Sequence, residues 1–164
     1  MEKLHPKAIW LFFFRAFFAL SFFTVFIFIP FSPLISSIKD YLSLGSLIII
    51  TLLLIAIFSY IWARLTYRFW LYELDENAVK IEKGVITKKY ITIPYERIQN
   101  IDIYRGIFAR LFGLSDLQIQ TAGYSNYKQH SQGSEGRLPG LGVQKAESLR
   151  EQLVKKIKGT DQGL

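Results

Sequence analysis

Few side chains in this sequence are of the types that carry out catalysis. It contains no cysteine, so thiol nucleophiles and disulfides are excluded, and its two histidines, His5 and His130, lie far apart in the sequence. Glu96 and Asp102 could form an acid–base pair, but nearby arginines and turn amides are simpler partners for them. The glycines match neither the dinucleotide fingerprint nor the P-loop. Because a catalytic site needs several titratable groups that converge, the sequence predicts no enzyme, no metal site and no cofactor.

Cations are the more informative polar residues. The chain has 20 Lys and Arg against 13 Asp and Glu, a net charge of +7. In a membrane-tethered protein this charge favours an anionic inner leaflet over nucleic acid, at about 1 kcal/mol for each cation near the surface. Six cations are candidates for a binding surface at a barrel mouth or facing the bilayer, although a solvated, solubilising face is the simpler interpretation: Lys83, Lys88, Lys89, Arg97, Arg105 and Arg110.

Two long apolar segments precede most of these cations. Residues 9–29 contain a single charge, Arg15, and residues 44–63 contain none. At about 1.5 Å per residue, each segment can cross a hydrocarbon core of about 30 Å. Pro30 and Pro33 end the first segment, and the apolar residues that follow suggest a short interfacial turn. We therefore expect a transmembrane hairpin within residues 1–66.

The flanks of the hairpin indicate its orientation. Lys and Arg are more frequent outside the two segments than in the connection, which carries only Lys39. By the positive-inside rule, we expect a multi-pass protein of the cell membrane with both termini in the cytoplasm. Aromatic residues mark the same side as an interfacial belt that includes the candidate membrane contacts Trp62 and Trp70.

Arg15 has two possible roles. It lies six residues into the first segment, so snorkelling to the headgroups is the simpler interpretation. A transport pathway is the alternative, and it would also use the hydroxyl residues of the two segments, Ser21, Thr24, Ser46, Thr51 and Ser59. Because two spans cannot enclose a pathway, transport would require an oligomer or a larger assembly.

Residues 67–158 have the pattern of a small antiparallel β-domain. Short β-type runs occur at 67–74, 79–82, 85–93, 98–104 and 117–121, separated by turn residues. An apolar stripe that includes Val143, Leu149 and Ile157 predicts a final helix that plugs an open end of the sheet. We expect a mobile loop at 123–137, because it is long, polar and aperiodic, and a flexible tail at 159–164.

A short amphipathic helix is predicted between the last two strands. Ile107, Phe108, Leu111 and Phe112 recur at helical spacing, and Gly113 ends the segment. This helix could be a lid on the barrel core. Alternatively, Phe108 and Phe112 could dip into the membrane surface as further candidate membrane contacts.

The order of these segments resembles a known family. Residues 93–113, 117–123 and 138–141 (LPGL), together with the two apolar segments and the final helix, are similar to the bacterial pleckstrin-homology-like family of YdbS-type membrane-flanked proteins. The resemblance covers the whole chain. It implies an α+β membrane protein: a two-helix transmembrane hairpin followed by a PH-like antiparallel β-barrel or sandwich of about seven strands, capped by a C-terminal helix. It implies no catalytic activity.

Three functions remain open from the sequence. The first is a non-enzymatic binding or scaffold module that presents the PH-like domain at the cytoplasmic membrane surface, where confinement raises its effective concentration toward other membrane proteins or a second copy. The second is a subunit of a membrane transport assembly. The third is recognition of anionic lipid by the basic residues, besides contact with the bilayer itself.

Overall fold

The computed structural model describes residues 1–28, 44–121 and 136–161. Four α-helices occur in these residues, α1 (Ala8–Phe28), α2 (Leu44–Arg68), α3 (Ile107–Leu111) and α4 (Val143–Asp161). The seven strands are β1 (Glu2–Lys3), β2 (Leu71–Leu74), β3 (Ala78–Lys83), β4 (Lys89–Pro94), β5 (Ile98–Tyr104), β6 (Leu114–Thr121) and β7 (Gly136–Gly142). Two apolar helices, antiparallel sheets and a C-terminal helix are the α+β architecture that the sequence predicts.

The helices α1 and α2 are both long and apolar enough to cross a membrane. They pack against each other, and the ends that lie next to the β-domain are the start of α1 and the end of α2. The expected segments, 9–29 and 44–63, match these helices closely, except that α2 continues to Arg68. The proposed interfacial turn, with Pro30, Pro33 and Lys39, lies outside the described residues.

The predicted strand 67–74 is wrong in its first part. Tyr67 belongs to α2, where its hydroxyl donates a hydrogen bond to the Leu4 carbonyl at 3.2 Å, and β2 begins only at Leu71. No glycine or proline interrupts the chain between Ala63 and Arg68, so the helix runs directly up to the domain.

The strands form two antiparallel sheets, ordered β1-β2-β3-β4 and β5-β6-β7. In β3, Val79 and Ile81 are buried, whereas Lys80 is exposed and Glu82 is half-buried. This is the alternation that the sequence predicts. The predicted strand 85–93 starts late, because Gly84 turns the chain with a φ of 118° and β4 begins at Lys89. An added Cβ at Gly84 would lie 2.0 Å from the Thr87 carbonyl oxygen, so this tight turn requires glycine.

The strand β1 was not predicted. Glu2 is opposite Tyr72 and Lys3 is opposite Leu71, so the N-terminal residues pair with β2. Both membrane helices therefore lie between two strands that are neighbours in one sheet. The hairpin is an insertion into the β-domain rather than a segment that precedes it.

The core lies between the sheets and is closed by α4, whose Ala146, Leu149 and Leu153 are buried against it. The helix extends to Asp161, beyond the boundary expected at 158. Gly136 and Arg137, which the sequence assigns to a loop, belong to β7. Residues 123–135 of that loop and residues 162–164 of the expected tail lie outside the described residues.

Candidate membrane-facing surface

The first turns of α1 belong to the β-domain. Ala8 and Phe12 are buried in the core cluster with Leu4, which precedes the helix. The His5 N–H donates a hydrogen bond to the Gly140 carbonyl at 3.2 Å, so the start of the hairpin is also tied to β7. We call residues 4–12 the hairpin root.

Gly140 allows this contact. It has a φ of 65°, and an added Cβ would lie only 2.5 Å from the Cβ of Ala8. The LPGL sequence at 138–141 is therefore the point where the barrel meets the hairpin root. Glycine satisfies both the backbone conformation and the close approach of the helix.

Asp116 supports the contact between the LPGL sequence and the hairpin root from inside the barrel. The residue is 4% exposed, and its carboxylate accepts hydrogen bonds from the Gly140 N–H at 2.9 Å and from the Arg137 guanidinium at 2.5 Å. The pairing of β6 and β7 is irregular between Ser115 and Leu117, so the strand turns Asp116 toward the backbone of β7. The sequence pattern did not indicate Asp116, because the predicted strand begins at Leu117. An acidic residue directly before a regularly alternating strand was the available signal.

The short helix α3 packs on α1. The Phe108 ring centroid is 5.7 Å from that of Phe14 and 5.9 Å from that of Phe18, and the Phe112 centroid is 5.9 Å from that of Phe14. Of the five residues of α3, only Ala109 is buried. The helix is therefore not a lid on the barrel core.

The two large aliphatic residues of α3 project away from the rest of the protein. Ile107 is 84% exposed and Leu111 is 76% exposed, and the four-residue spacing places them on one face. Gly113 ends the segment with a φ of 67°. The two phenylalanines thus hold α3 against α1, and the aliphatic pair projects outward.

The two candidate tryptophans differ in their surroundings. Trp62 is exposed on α2. Trp70 is partly buried: its ring stacks on Phe12 with centroids 5.8 Å apart, and the Lys83 Nζ lies 5.3 Å from its centroid. Trp70 therefore links the hairpin root to the first sheet.

Three of the candidate cations lie at the end of the first sheet nearest α2. Lys83 is opposite Lys89 in the register of β3 and β4. Burial is the main reason that the pKa of Lys83 is lowered, and the charges of Lys89 and Arg137 lower it further. The Lys88 Nζ is 3.1 Å from the Glu82 carboxylate, which raises the pKa of the lysine, and 5.8 Å from the Phe69 ring centroid.

Two further cations flank α3. Arg105 precedes the helix, and its Nε donates a hydrogen bond to the Leu114 carbonyl at 3.2 Å. Arg110 is exposed within the helix. Arg97 is different, because it lies in the 3-10 turn at the opposite end of β4 from Lys89. The structure therefore places five of the six candidate cations near the membrane helices and Arg97 away from them.

The remaining polar candidates do not converge. Asp102 accepts a hydrogen bond from Gln120 at 2.8 Å, whereas Glu96 is exposed in the 3-10 turn. The Nδ1 of His5 accepts a hydrogen bond from the backbone N–H of Lys7, and His130 lies outside the described residues. Within residues 1–28, 44–121 and 136–161, no three His, Cys, Asp or Glu side chains are grouped so that they could hold a metal ion.

The hydroxyl residues of the hairpin have varied surroundings. Thr24 and Thr51 donate hydrogen bonds to carbonyls of their own helices, Leu20 and Leu47, at 2.8 Å each. Ser59 is buried. A polar lining for a transport pathway remains a prediction from the sequence.

Comparison with known proteins places the chain among membrane proteins. The sequence matches the bacterial PH domain family over residues 16–157. It is 32% identical over 95 residues to the UPF0699 transmembrane protein YdbT of Bacillus subtilis (strain 168), covering 58% of this chain and 17% of that protein. It is 25% identical over 102 residues to the UPF0699 transmembrane protein YdbS of the same organism, covering 62% of this chain and 58% of that protein. The aligned part is thus less than two thirds of either relative, and no solved structure matches the chain significantly.

Proposed function

Because the chain belongs to the bacterial PH domain family, we propose that it is a non-enzymatic binding module that presents a PH-like domain to protein partners at the cytoplasmic membrane surface. The observation that carries the proposal is the insertion of the hairpin between β1 and β2. Such an attachment fixes the orientation of the domain as well as its location. A partner in the same membrane then loses less orientational freedom on binding than it would with a domain on a flexible linker.

The attachment is rigid on both sides of the hairpin. Phe12 and Ala8 at the start of α1 are buried in the domain core, and at the end of α2 only two residues separate Arg68 from Leu71 of β2. A segment this short leaves little freedom for the domain to rotate about the helices.

The outer edge of β4 is the partner site that we propose. This strand ends the order of the first sheet, so within the described residues no strand covers its outer side. Tyr90 is 67% exposed and Thr92 is exposed on the same strand. An exposed edge of this kind binds an extended peptide by strand addition, with backbone hydrogen bonds for affinity and side-chain pockets for specificity. We propose an extended segment of another membrane protein as the ligand.

The proposed cytoplasmic location has support from charge and from topology. The pairing of β1 with β2 requires the N-terminus and the β-domain to be on the same side of the membrane. The cations around the hairpin ends, Lys3, Lys7, Arg64 and Arg68, favour the cytoplasmic side for both. A reporter fused after Leu164 tests this location, and an external reporter would contradict it.

Site-specific photo-crosslinking of the full chain in its native membrane tests the proposed function. A photoreactive residue at position 92 should give adducts with one recurring membrane protein. The matched control is position 151, because Glu151 is also exposed but lies on α4 rather than on β4. Only phospholipid adducts at position 92, or the same protein adducts at both positions, would refute the β4 site.

A further inference from the structure

We infer that α3 and the turn at 84–88 insert their exposed aliphatic side chains into the same membrane leaflet that the hairpin enters, with neighbouring cations at the lipid headgroups. The β-domain would then contact lipid directly through α3 and this turn, whereas the proposed partner site is the outer edge of β4 at Tyr90 and Thr92. The ligand is a lipid surface: acyl chains for the aliphatic side chains and anionic headgroups for the cations.

The depth of α3 follows from its contacts with α1. One face of α1 packs against the protein core as far as Phe12, so lipid can reach all sides of the helix only after that residue. Phe14 and Phe18, on which α3 stacks, lie about 3 and 9 Å farther along the axis, at about 1.5 Å per residue. The helix α3 thus lies beside the first turns of α1 that have left the barrel, which is the level of an interfacial helix.

The surroundings of α3 indicate that lipid covers it. Ile107 and Leu111 project from the side of α3 that neither α1 nor the barrel covers. The adjoining surface of α1 after Arg15 is also apolar and exposed, with Phe18 at 54% and Phe22 at 63%. Since this surface belongs to a membrane-spanning helix, the aliphatic pair continues a face that lipid already covers.

The turn at 84–88 makes a second contact of the same kind. Ile86 is 85% exposed at the tip of the turn, which Gly84 constrains. The Lys88 Nζ next to the Phe69 ring places this turn at the end of α2. Two apolar tips therefore lie on the side of the domain from which both membrane helices leave.

Cations accompany each tip. Lys88 and Lys89 follow Ile86, and Arg105 and Arg110 flank Ile107 and Leu111. Aliphatic side chains next to Lys and Arg are the composition of surfaces that lie in the membrane interface, where the apolar groups enter the acyl region and the cations remain at the headgroups.

Spin-label accessibility in the full chain tests this inference. The natural sequence has no cysteine, so Ile107→Cys, Leu111→Cys and Ile86→Cys each give a single labelling site. The chain is placed in nanodiscs with one copy per disc, and collisions of each nitroxide with oxygen and with a water-soluble nickel chelate are compared. All three labels should favour oxygen over nickel, as lipid-buried sites do.

Two matched controls show the result that is expected for a label in water. Glu151→Cys labels an exposed helix position on α4, and Glu76→Cys labels the turn between β2 and β3, at the other end of the first sheet from Ile86. Both control labels should favour nickel. Labels at 107 and 111 that favour nickel as strongly as the controls would overturn the inference. Shielding of those labels from both reagents would also overturn it, because it would mean that protein covers the surface.

The headgroup contact has its own test. In discs of neutral phosphatidylcholine, adding phosphatidylglycerol should shift the Leu111→Cys label deeper. The same addition should shift it less when Arg110→Gln is present, because Arg110 is exposed next to that site. Equal shifts with and without Arg110→Gln would overturn the assignment of this cation to the headgroups.

Discussion

The helix α1 has two parts with similar sequences and different surroundings. Residues 8–12 and 22–26 are both rich in large apolar side chains, yet Phe12 is 8% exposed and Phe22 is 63% exposed. One face of the first part packs into the protein core while Trp10 on it is still 48% exposed, and lipid is the expected surroundings of the second part. The comparison shows that an apolar helix of membrane-spanning length can pack its first turns against a β-domain, where side-chain packing determines stability.

Truncation of one phenylalanine in each part gives the largest expected difference. Phe12→Ala should lower the free energy of unfolding by about 3–5 kcal/mol, because it leaves a cavity in the core and removes the stack on Trp70. Phe22→Ala should change it by less than about 0.5 kcal/mol, because lipid or detergent fills the space. Titration of the solubilised full chain with sodium dodecyl sulfate, followed by circular dichroism, measures both. Equal losses would mean that the barrel does not extend to Phe12.

A second pair of substitutions tests the contact between the hairpin root and β7. Gly140→Ala should destabilise the chain by about 2–3 kcal/mol, since the new Cβ would lie 2.5 Å from that of Ala8 and its left-handed φ alone costs about 1–2 kcal/mol. Gly159→Ala is the control, because nothing lies within 4 Å of the added Cβ in α4, and it should stabilise by about 0.5–1 kcal/mol. The same titration measures both variants. An unchanged midpoint for Gly140→Ala would show that the helix can move away from β7 without cost.

The smallest expected effect concerns the N-terminal strand. A hydrogen bond from Lys145, at 3.0 Å, and a second from the Tyr72 hydroxyl, at 2.8 Å, hold the pKa of Glu2 below its ordinary range. A lowered pKa in the folded state means that the carboxylate stabilises the fold at neutral pH and that this contribution disappears as the pH falls through the folded-state pKa. Glu2→Gln should therefore cost less than about 1 kcal/mol at neutral pH, because the pair is exposed, and nothing at low pH.

The stability of wild type and of Glu2→Gln should thus converge on acidification. Tyr72→Phe removes only the hydroxyl donor and should show part of the same convergence. A difference between wild type and Glu2→Gln that stays constant with pH would contradict a role for the ionised carboxylate.

The sequence predicted the elements that depend on periodicity. The alternation of Val79 and Ile81 and the amphipathic α4 follow from spacing along the chain, and the two spans follow from the length of their apolar runs. The PH-like α+β architecture followed from the resemblance carried by residues such as those at 138–141. These features could be predicted because each is encoded in one contiguous segment of the sequence.

The sequence did not predict the features that depend on contacts between distant segments. The strand β1 has only two residues and becomes a strand through its pairing with β2, so no periodicity could reveal it. The close approach of Ala8 to Gly140 likewise requires the fold to be known. For α3, the spacing gave the helix but not its partner: Phe108 and Phe112 stack on α1, and the outward residues are Ile107 and Leu111.

The insertion of the hairpin between β1 and β2 sets an order for biosynthesis. During translation β1 is made before either span, whereas its pairing partner β2 is made after both. The first sheet can therefore close only after both apolar helices have been made, and with the expected topology its closure follows the insertion of both spans. For the same reason, a fragment that starts at residue 67 lacks β1, Leu4, Ala8 and Phe12, so the β-domain and the membrane segments form a single folding unit.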